Sequence, residues 1–236
     1  MPRTIALWSC ALLCAAVSAT VGHAQSSTCP SALPNELTSI GSATQLVTVV
    51  PPRRSATQAE LRLWRKSGAC WLAAAGPWTA WVGQHGINDD KHEGDHTTPA
   101  GVFGFGRVMY GNGPDPGMHY RYRRIVCGDW WVEDPRSPYY NQFHHVRCNT
   151  TPPFRVTSED MAASPTAYRH LAFIRYNADP VVPGRGSGIF LHVSTGRPTL
   201  GCVSLPLPEL VTTLRWLRPA NEPLIVIGTR AMLRGY

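Results

Sequence analysis

Apolar positions in this chain come in short runs, each closed by glycine, proline, asparagine or aspartate. That pattern predicts a β-rich domain. Strands are expected near Gln45–Val50, Glu60–Lys66, Trp71–Ala75, Thr79–Gln84, Gly101–Arg107, Trp130–Val132, Leu171–Tyr176, Gly188–Val193 and Leu224–Ile227. One stretch has the other period. Leu207, Leu210, Val211, Leu214 and Leu217 fall on a single helical face. Pro208 suits its first turn, where a missing N–H costs nothing, and Pro219 stops it. The C-terminal order is therefore strand, tight loop, Gly-Cys, helix, strand. Between the two strand-rich parts lies an irregular insert, 109–157, which carries Tyr110, Tyr120, Tyr122, Trp130, Trp131, Tyr139 and Tyr140. A loop this long is a lid, a binding loop or a cover over a satellite aromatic core.

The first residues break the pattern. Met1 to Ala24 has Arg3, an apolar stretch from Ile5 to Val17 and the ending Val21-Gly22-His23-Ala24. A basic start, a short apolar centre and a small-x-small ending describe a secretory signal, with the cut after Ala24. The apolar stretch is too short for a stable membrane span, and the surroundings of Cys10 and Cys14 suit lipoprotein processing poorly. The domain plan is then a signal at 1–24, an N-terminal extension at 25–44 and one domain at 45–236. An exported, envelope-associated or secreted protein follows.

Export changes the reading of the cysteines. Five remain after cleavage: Cys29, Cys70, Cys127, Cys148 and Cys202. In an oxidising compartment an odd count implies two disulfides and one thiol. Cys127 and Cys148 bracket one compact loop, and Cys29 would tie the mature N-terminus to Cys70. Cys202 is left over. Charge adds less. The chain is formally +7 at neutral pH, and its basic residues are scattered rather than gathered in a stripe. Nucleic acid is a poor partner for that distribution, which leaves a membrane surface, an anionic polymer such as a cell wall, or general solubility as the reason for the charge.

Two stretches carry chemistry. The first, Lys91-His-Glu-Gly-Asp-His-Thr-Thr-Pro-Ala-Gly-Val-Phe103, contains His92-Glu93-Gly94-Asp95-His96, which matches H-E-x-x-H. That zinc motif works only on a helix, where both imidazoles share a face. Gly94 and the turn-rich flanks deny it one, so no metal is expected. The second runs from Gly188 to Pro206. An apolar strand delivers His192 to its end, a Gly/Pro loop follows, and Gly201-Cys202 leads toward the helix. The chain can turn back across those ten residues and bring thiol to imidazole, the arrangement a cysteine nucleophile needs. Gly201 allows close backbone approach, and successive N–H groups around Cys202 suit an oxyanion.

His192 with Thr199, Gly201 and Cys202 resembles the catalytic segment of the L,D-transpeptidase (YkuD-like) family, in a short-loop exported form. Glu93-Gly94-Asp95 and Thr98-Pro99-Ala100-Gly101-Val102-Phe103 resemble that family's upstream block. The likeness spans about Val47 to Gly228. It implies a mainly β fold, a YkuD-like β-sandwich or mixed sheets with one C-terminal helix after the cysteine. It implies peptidoglycan stem peptides as substrate, a thioester on Cys202, His192 as base and Val193's carbonyl orienting the imidazole. It also implies acylation by carbapenems and no cofactor. Two departures stand out: Leu200 replaces the histidine usual before Gly-Cys, and the His-to-Cys loop is short. Arg197 is a candidate for a substrate carboxylate. Ser194, Thr195, Thr199 and Leu200 are candidate contacts, and Tyr110 with Trp130 and Trp131 are candidate lid residues. The rival functions are an L,D-carboxypeptidase, a wall-binding module without turnover, and a structural Cys202.

Overall fold

The computed structural model describes residues 1–2, 29–155 and 158–236, so the expected signal segment beyond its first two residues lies outside the described residues. The elements run β1 (Gln45–Val50), β2 (Gln58–Ser67), β3 (Cys70–Trp81), β4 (Ile87–Asn88), β5 (Thr98–Pro99) and β6 (Gly101–Gly111). The insert contributes β7 (Arg121–Arg124), β8 (Asp129–Trp131) and β9 (Phe143–His145), and β10 (Glu159–Asp160) follows it. The C-terminal part holds β11 (Leu171–Ile174), β12 (Phe190–Val193), β13 (Val203–Leu205), α1 (Leu207–Trp216), β14 (Leu224–Ile227) and α2 (Arg230–Leu233). Among the described residues the fold is mainly β, with α1 as the one substantial helix.

Nine strands form one mixed sheet in the order β11-β12-β13-β3-β2-β1-β14-β6-β7, and a further β11–β6 pairing closes the sheet into a ring. Strand alternation explains what the ring encloses. On β1, Val47 and Val49 point into the central core, while Leu46 points to the outer face. The central core also takes Leu61, Leu63, Val82, Met109, Ile174, Leu191, Val203, Leu205 and Ile225. The outer face is covered by Leu33, Leu37, Ile40 and Ala43 together with Leu233 of α2, so most of the segment expected as an extension belongs to a second core.

α1 covers the ring beside β12 and β13. Leu210, Thr213, Leu214 and Leu217 are fully buried, so Thr213 takes an inward position that Val211 was expected to share. Its hydroxyl donates to the Glu209 carbonyl one turn back, which satisfies the buried oxygen. β3 is one strand where two were expected. Gly76-Pro77 reads as a break, yet the strand passes through it, with register shifts against β2 between Leu61 and Trp64. β3 meets β13 only at Trp81, so Pro77 sits on a stretch with one pairing edge, where a missing N–H is tolerated.

Two disulfides, Cys29–Cys70 and Cys127–Cys148, staple the second core and the insert, and Cys202 is the free cysteine among the described residues. Among the described residues no helix is long and apolar enough to cross a membrane.

Candidate active site

β12 alternates between two faces. Leu191 and Val193 enter the central core, and Phe190 and His192 face the other way. β13 lies parallel to it, with Leu191 opposite Val203 and His192 opposite Ser204. Cys202, two residues before Ser204, therefore shares a face with His192. The loop between them is held at several points. Ser194 Oγ accepts from Gly196 N at 3.0 Å, which makes a local turn. Thr199 N donates to Val82 O at 2.9 Å and Gln84 N to Thr199 O at 2.8 Å, tying the loop to the chain after β3. Gly201 has φ +145, and a Cβ there would lie 3.1 Å from Thr97 O, so the turn requires glycine.

The upstream block clamps this turn. Thr98 Oγ1 donates to Cys202 O at 3.1 Å and accepts from Gly83 N at 2.8 Å. Thr199 Oγ1 donates to the same carbonyl at 2.6 Å and accepts from Gly201 N at 3.2 Å. Two hydroxyls thus fix the peptide that carries Cys202. The rest of the block is organised by Asp95. Its carboxylate accepts from Lys91 Nζ at 2.7 Å, from His92 N and Thr97 N at 2.9 Å each, and from Thr97 Oγ1 at 2.8 Å. Burial opposes its charge, but the Lys91 ammonium and these donors hold it at about 2. Gly94 at φ +75 and His96 at φ 56 put the H-E-x-x-H residues in a folded loop, not on a helix, so the two imidazoles do not form the helical pair a zinc site needs.

His192 is 8% exposed. Its Nδ1 lies 2.8 Å from Val193 O, and because a carbonyl only accepts, Nδ1 carries the proton and Nε2 is the basic atom. The Tyr168 ring stands edge-on to the imidazole, 5.8 Å between centroids. Cys202 Sγ does not bond to His192. It donates to Gly188 O and accepts from Phe190 N, both at 3.3 Å. Burial pushes the thiol up to about 12, with Glu133 and Glu159 adding repulsion and the Phe190 N–H and Lys91 opposing it. Burial pulls His192 down to about 4, against the Val193 contact. Thiol and imidazole both rest neutral.

Both open into a cleft of about 700 Å³. Arg197, Thr199, Leu200 and Gly201 line it from the loop, as does Thr195. Leu200 is 68% exposed, so its apolar side chain stands at the rim where a histidine was usual in the likeness. Ser194 does not line the cleft. Tyr110 is a correction: it is buried, stacked on Phe143 at 5.3 Å and edge-on to Trp131, in an aromatic cluster beneath the site. Trp131 lies in that cluster, with Nε1 donating to Asn141 Oδ1, and Trp130 packs against Phe154. These aromatics make a satellite core rather than a lid. Phe190 belongs to that cluster, so the insert supports the strand carrying His192 from below. His144 stacks on Tyr139, and His145 bonds the buried Asp129, both away from the cleft lining.

The cleft also contains residues that the sequence did not single out as site residues: Lys91, Glu93, Glu133, Glu159, Tyr168 and Gly188. Lys91 and Glu93 had a signal, since they sit in the upstream block. Glu133 and Glu159 had none, because they lie at ends of strands in an irregular region.

Residues 54–227 match the family model of the L,D-transpeptidase catalytic domain (YkuD). Among solved structures, the helical cell shape determining protein Pgp2 from Campylobacter jejuni is similar at 14% identity, over 84% of this chain and 54% of that one, with a TM-score of 0.42. This chain thus spans about half the length of that protein. No curated protein matches.

Proposed function

The chain belongs to the L,D-transpeptidase catalytic domain family, and from that premise we propose that it is an exported cysteine acyltransferase acting on peptidoglycan stem peptides. The observation that carries this reading is that His192 on β12 and Cys202, just before the parallel β13, share a face and open into the same cleft. His192 Nε2 takes the thiol proton, and Sγ attacks the carbonyl of the third stem residue. The tetrahedral oxygen is met by backbone N–H groups; Gly201 N is engaged by Thr199, while those of Leu200 and Cys202 have no acceptor among the described residues. The imidazolium returns its proton to the leaving D-alanine amine, which leaves a thioester. An amine from a neighbouring stem then attacks with His192 again taking the proton, and a 3→3 link forms as the thiol is released. Water in place of that amine gives carboxypeptidase activity. No step calls for a metal or organic cofactor.

The neutral resting state of the thiol fits this sequence, because active-site hydrogen bonds in unliganded enzymes often form only with substrate present. Arg197, at the rim, suits a substrate carboxylate. A wall-binding protein without turnover is the second reading, favoured by the thiol's bond to Gly188 instead of His192 and by Leu200. A carbapenem separates them. The wild-type protein is expected to gain one acyl adduct by intact mass, on Cys202, and Cys202→Ala to gain none. An unmodified wild type would favour the binding protein.

A further inference from the structure

The cleft holds a second group of side chains that the acyl transfer does not use. Glu133 directly follows Val132 beyond β8, and its carboxyl lies against Gly188: a Cβ placed on that glycine would stand 2.1 Å from Glu133 Oε1. Gly188 is also the residue whose carbonyl accepts the Cys202 thiol. The backbone N–H of Glu133 donates to Ser158 Oγ, but its carboxyl has no hydrogen bond or ion pair with any described residue. Burial pushes it up to about 8, with Glu159 and Glu93 adding repulsion and Lys91 opposing it. Glu159 lines the same wall and accepts from Ser164 Oγ at 3.1 Å. Glu93 accepts from Ser187 Oγ at 2.6 Å and from the Tyr140 hydroxyl. Among the described residues Lys91 is the cation buried beside them, 3% exposed and paired with Asp95. Glu133 is half-buried in the cleft wall, and a carboxyl there with no partner among the described residues leaves the opposite charge for a ligand to supply.

Position decides which ligand. Along β12 the sulfur sits at Phe190, His192 lies beyond it in one direction, and Gly188 with Glu133 lies in the other. The attacking acceptor amine must reach the His192 side, since that imidazole takes its proton. A cation at the Glu133 end therefore belongs to the donor. We infer that Glu133, backed by Glu159, forms a subsite for the primary ammonium on the side chain of the donor residue whose carbonyl Cys202 attacks. This rests on the stem-peptide reading above and adds a specificity-determining residue to it. It also gives Gly188 a reason: any side chain there would fill the space the carboxyl occupies. An ammonium between the two carboxylates offsets the repulsion that Glu133 and Glu159 exert on the thiolate, so the correct donor favours ionisation of its own nucleophile.

The test uses binding, read by calorimetry on Cys202→Ala protein so that turnover plays no part. Two tetrapeptides ending in D-alanine are compared, one with a free amine on the third side chain and one with that amine acetylated. The free amine is expected to bind about 10- to 100-fold more tightly, in the range of a desolvated charge contact. Adding Glu133→Gln removes most of that difference, and adding Glu159→Gln removes part of it. Equal binding of the two peptides, an undiminished preference in Glu133→Gln, or no binding of either peptide would overturn the subsite. A preference that persists while wild-type protein forms no acyl adduct would instead sink acyl transfer and leave the subsite standing.

Discussion

At the scale of single residues, burial sets the chemistry of the site. The thiol near 12 and the imidazole near 4 leave neither charged at neutral pH. Alkylation of Cys202 by iodoacetamide is accordingly expected to rise with pH beyond 10 without levelling near 7; an early plateau would reveal a resting thiolate–imidazolium pair. Glu133→Gln removes a negative neighbour and should speed alkylation at any fixed pH in that range. The same residue makes a stability prediction. A folded-state carboxyl at about 8, against about 4.5 unfolded, binds an extra proton in the folded state between those values. Its contribution is present at low pH and lost as pH rises through 8. Glu133→Gln is thus expected to stabilise the protein by at least about 1 kcal/mol at pH 9, with little gain at pH 5, since each tenfold change in proton affinity is worth about 1.4 kcal/mol. Thermal unfolding at the two pH values checks it. His192 has the opposite sign: neutral when buried, it adds stability above about 6.5 that is lost as pH falls through 4.

At the scale of elements, two chain segments about a hundred residues apart build one turn. Thr98 on β5 and Thr199 in the loop both donate to the Cys202 carbonyl. Their hydroxyls hold the peptide of Cys202, the proposed nucleophile, and a displacement near 1 Å can cost on the order of 100-fold in rate. Thr98→Val is expected to slow carbapenem acylation by about 10- to 100-fold, while Thr98→Ser restores most of it. Equal rates for Thr98→Val and wild type would remove the clamp from the account. Much of this was legible in the sequence. The His192–Cys202 segment announces itself because strand, loop and helix signals follow in order, and the upstream block because its Gly and Pro positions are tied to backbone conformation. The β3 strand was read as two because Gly76-Pro77 looks like a break, and only the sheet shows that this stretch has one free edge. Glu133 and Tyr110 were illegible for a shared reason. Periodicity tells which face of an element a residue takes, but not which other segment that face meets, so a cleft residue and a core aromatic in the same insert read alike.

At the scale of the molecule, a closed sheet carries the site on one face, and two disulfides staple the segments packed outside it. Cys29–Cys70 fastens the segment that caps the outer core, and Cys127–Cys148 closes the insert that supports β12. In the chain-entropy view each loop is worth about 3–4 kcal/mol. Reduction is expected to lower the unfolding temperature, and thiol counting in denaturant without reductant should find one free thiol per chain cut after Ala24. Two staples, one thiol outside them and a cleft with both carboxyls and Arg197 support the proposed exported enzyme acting on a stem peptide that presents an ammonium and a carboxylate. The central claim, acyl transfer through Cys202 on that substrate, is tested most directly by mass analysis of muropeptides after tetrapeptide-bearing sacculi are incubated with the purified protein. The account predicts loss of terminal D-alanine, as 3→3 dimers or tripeptides, with wild type and not with Cys202→Ala; muropeptides left unchanged by the wild type would contradict it.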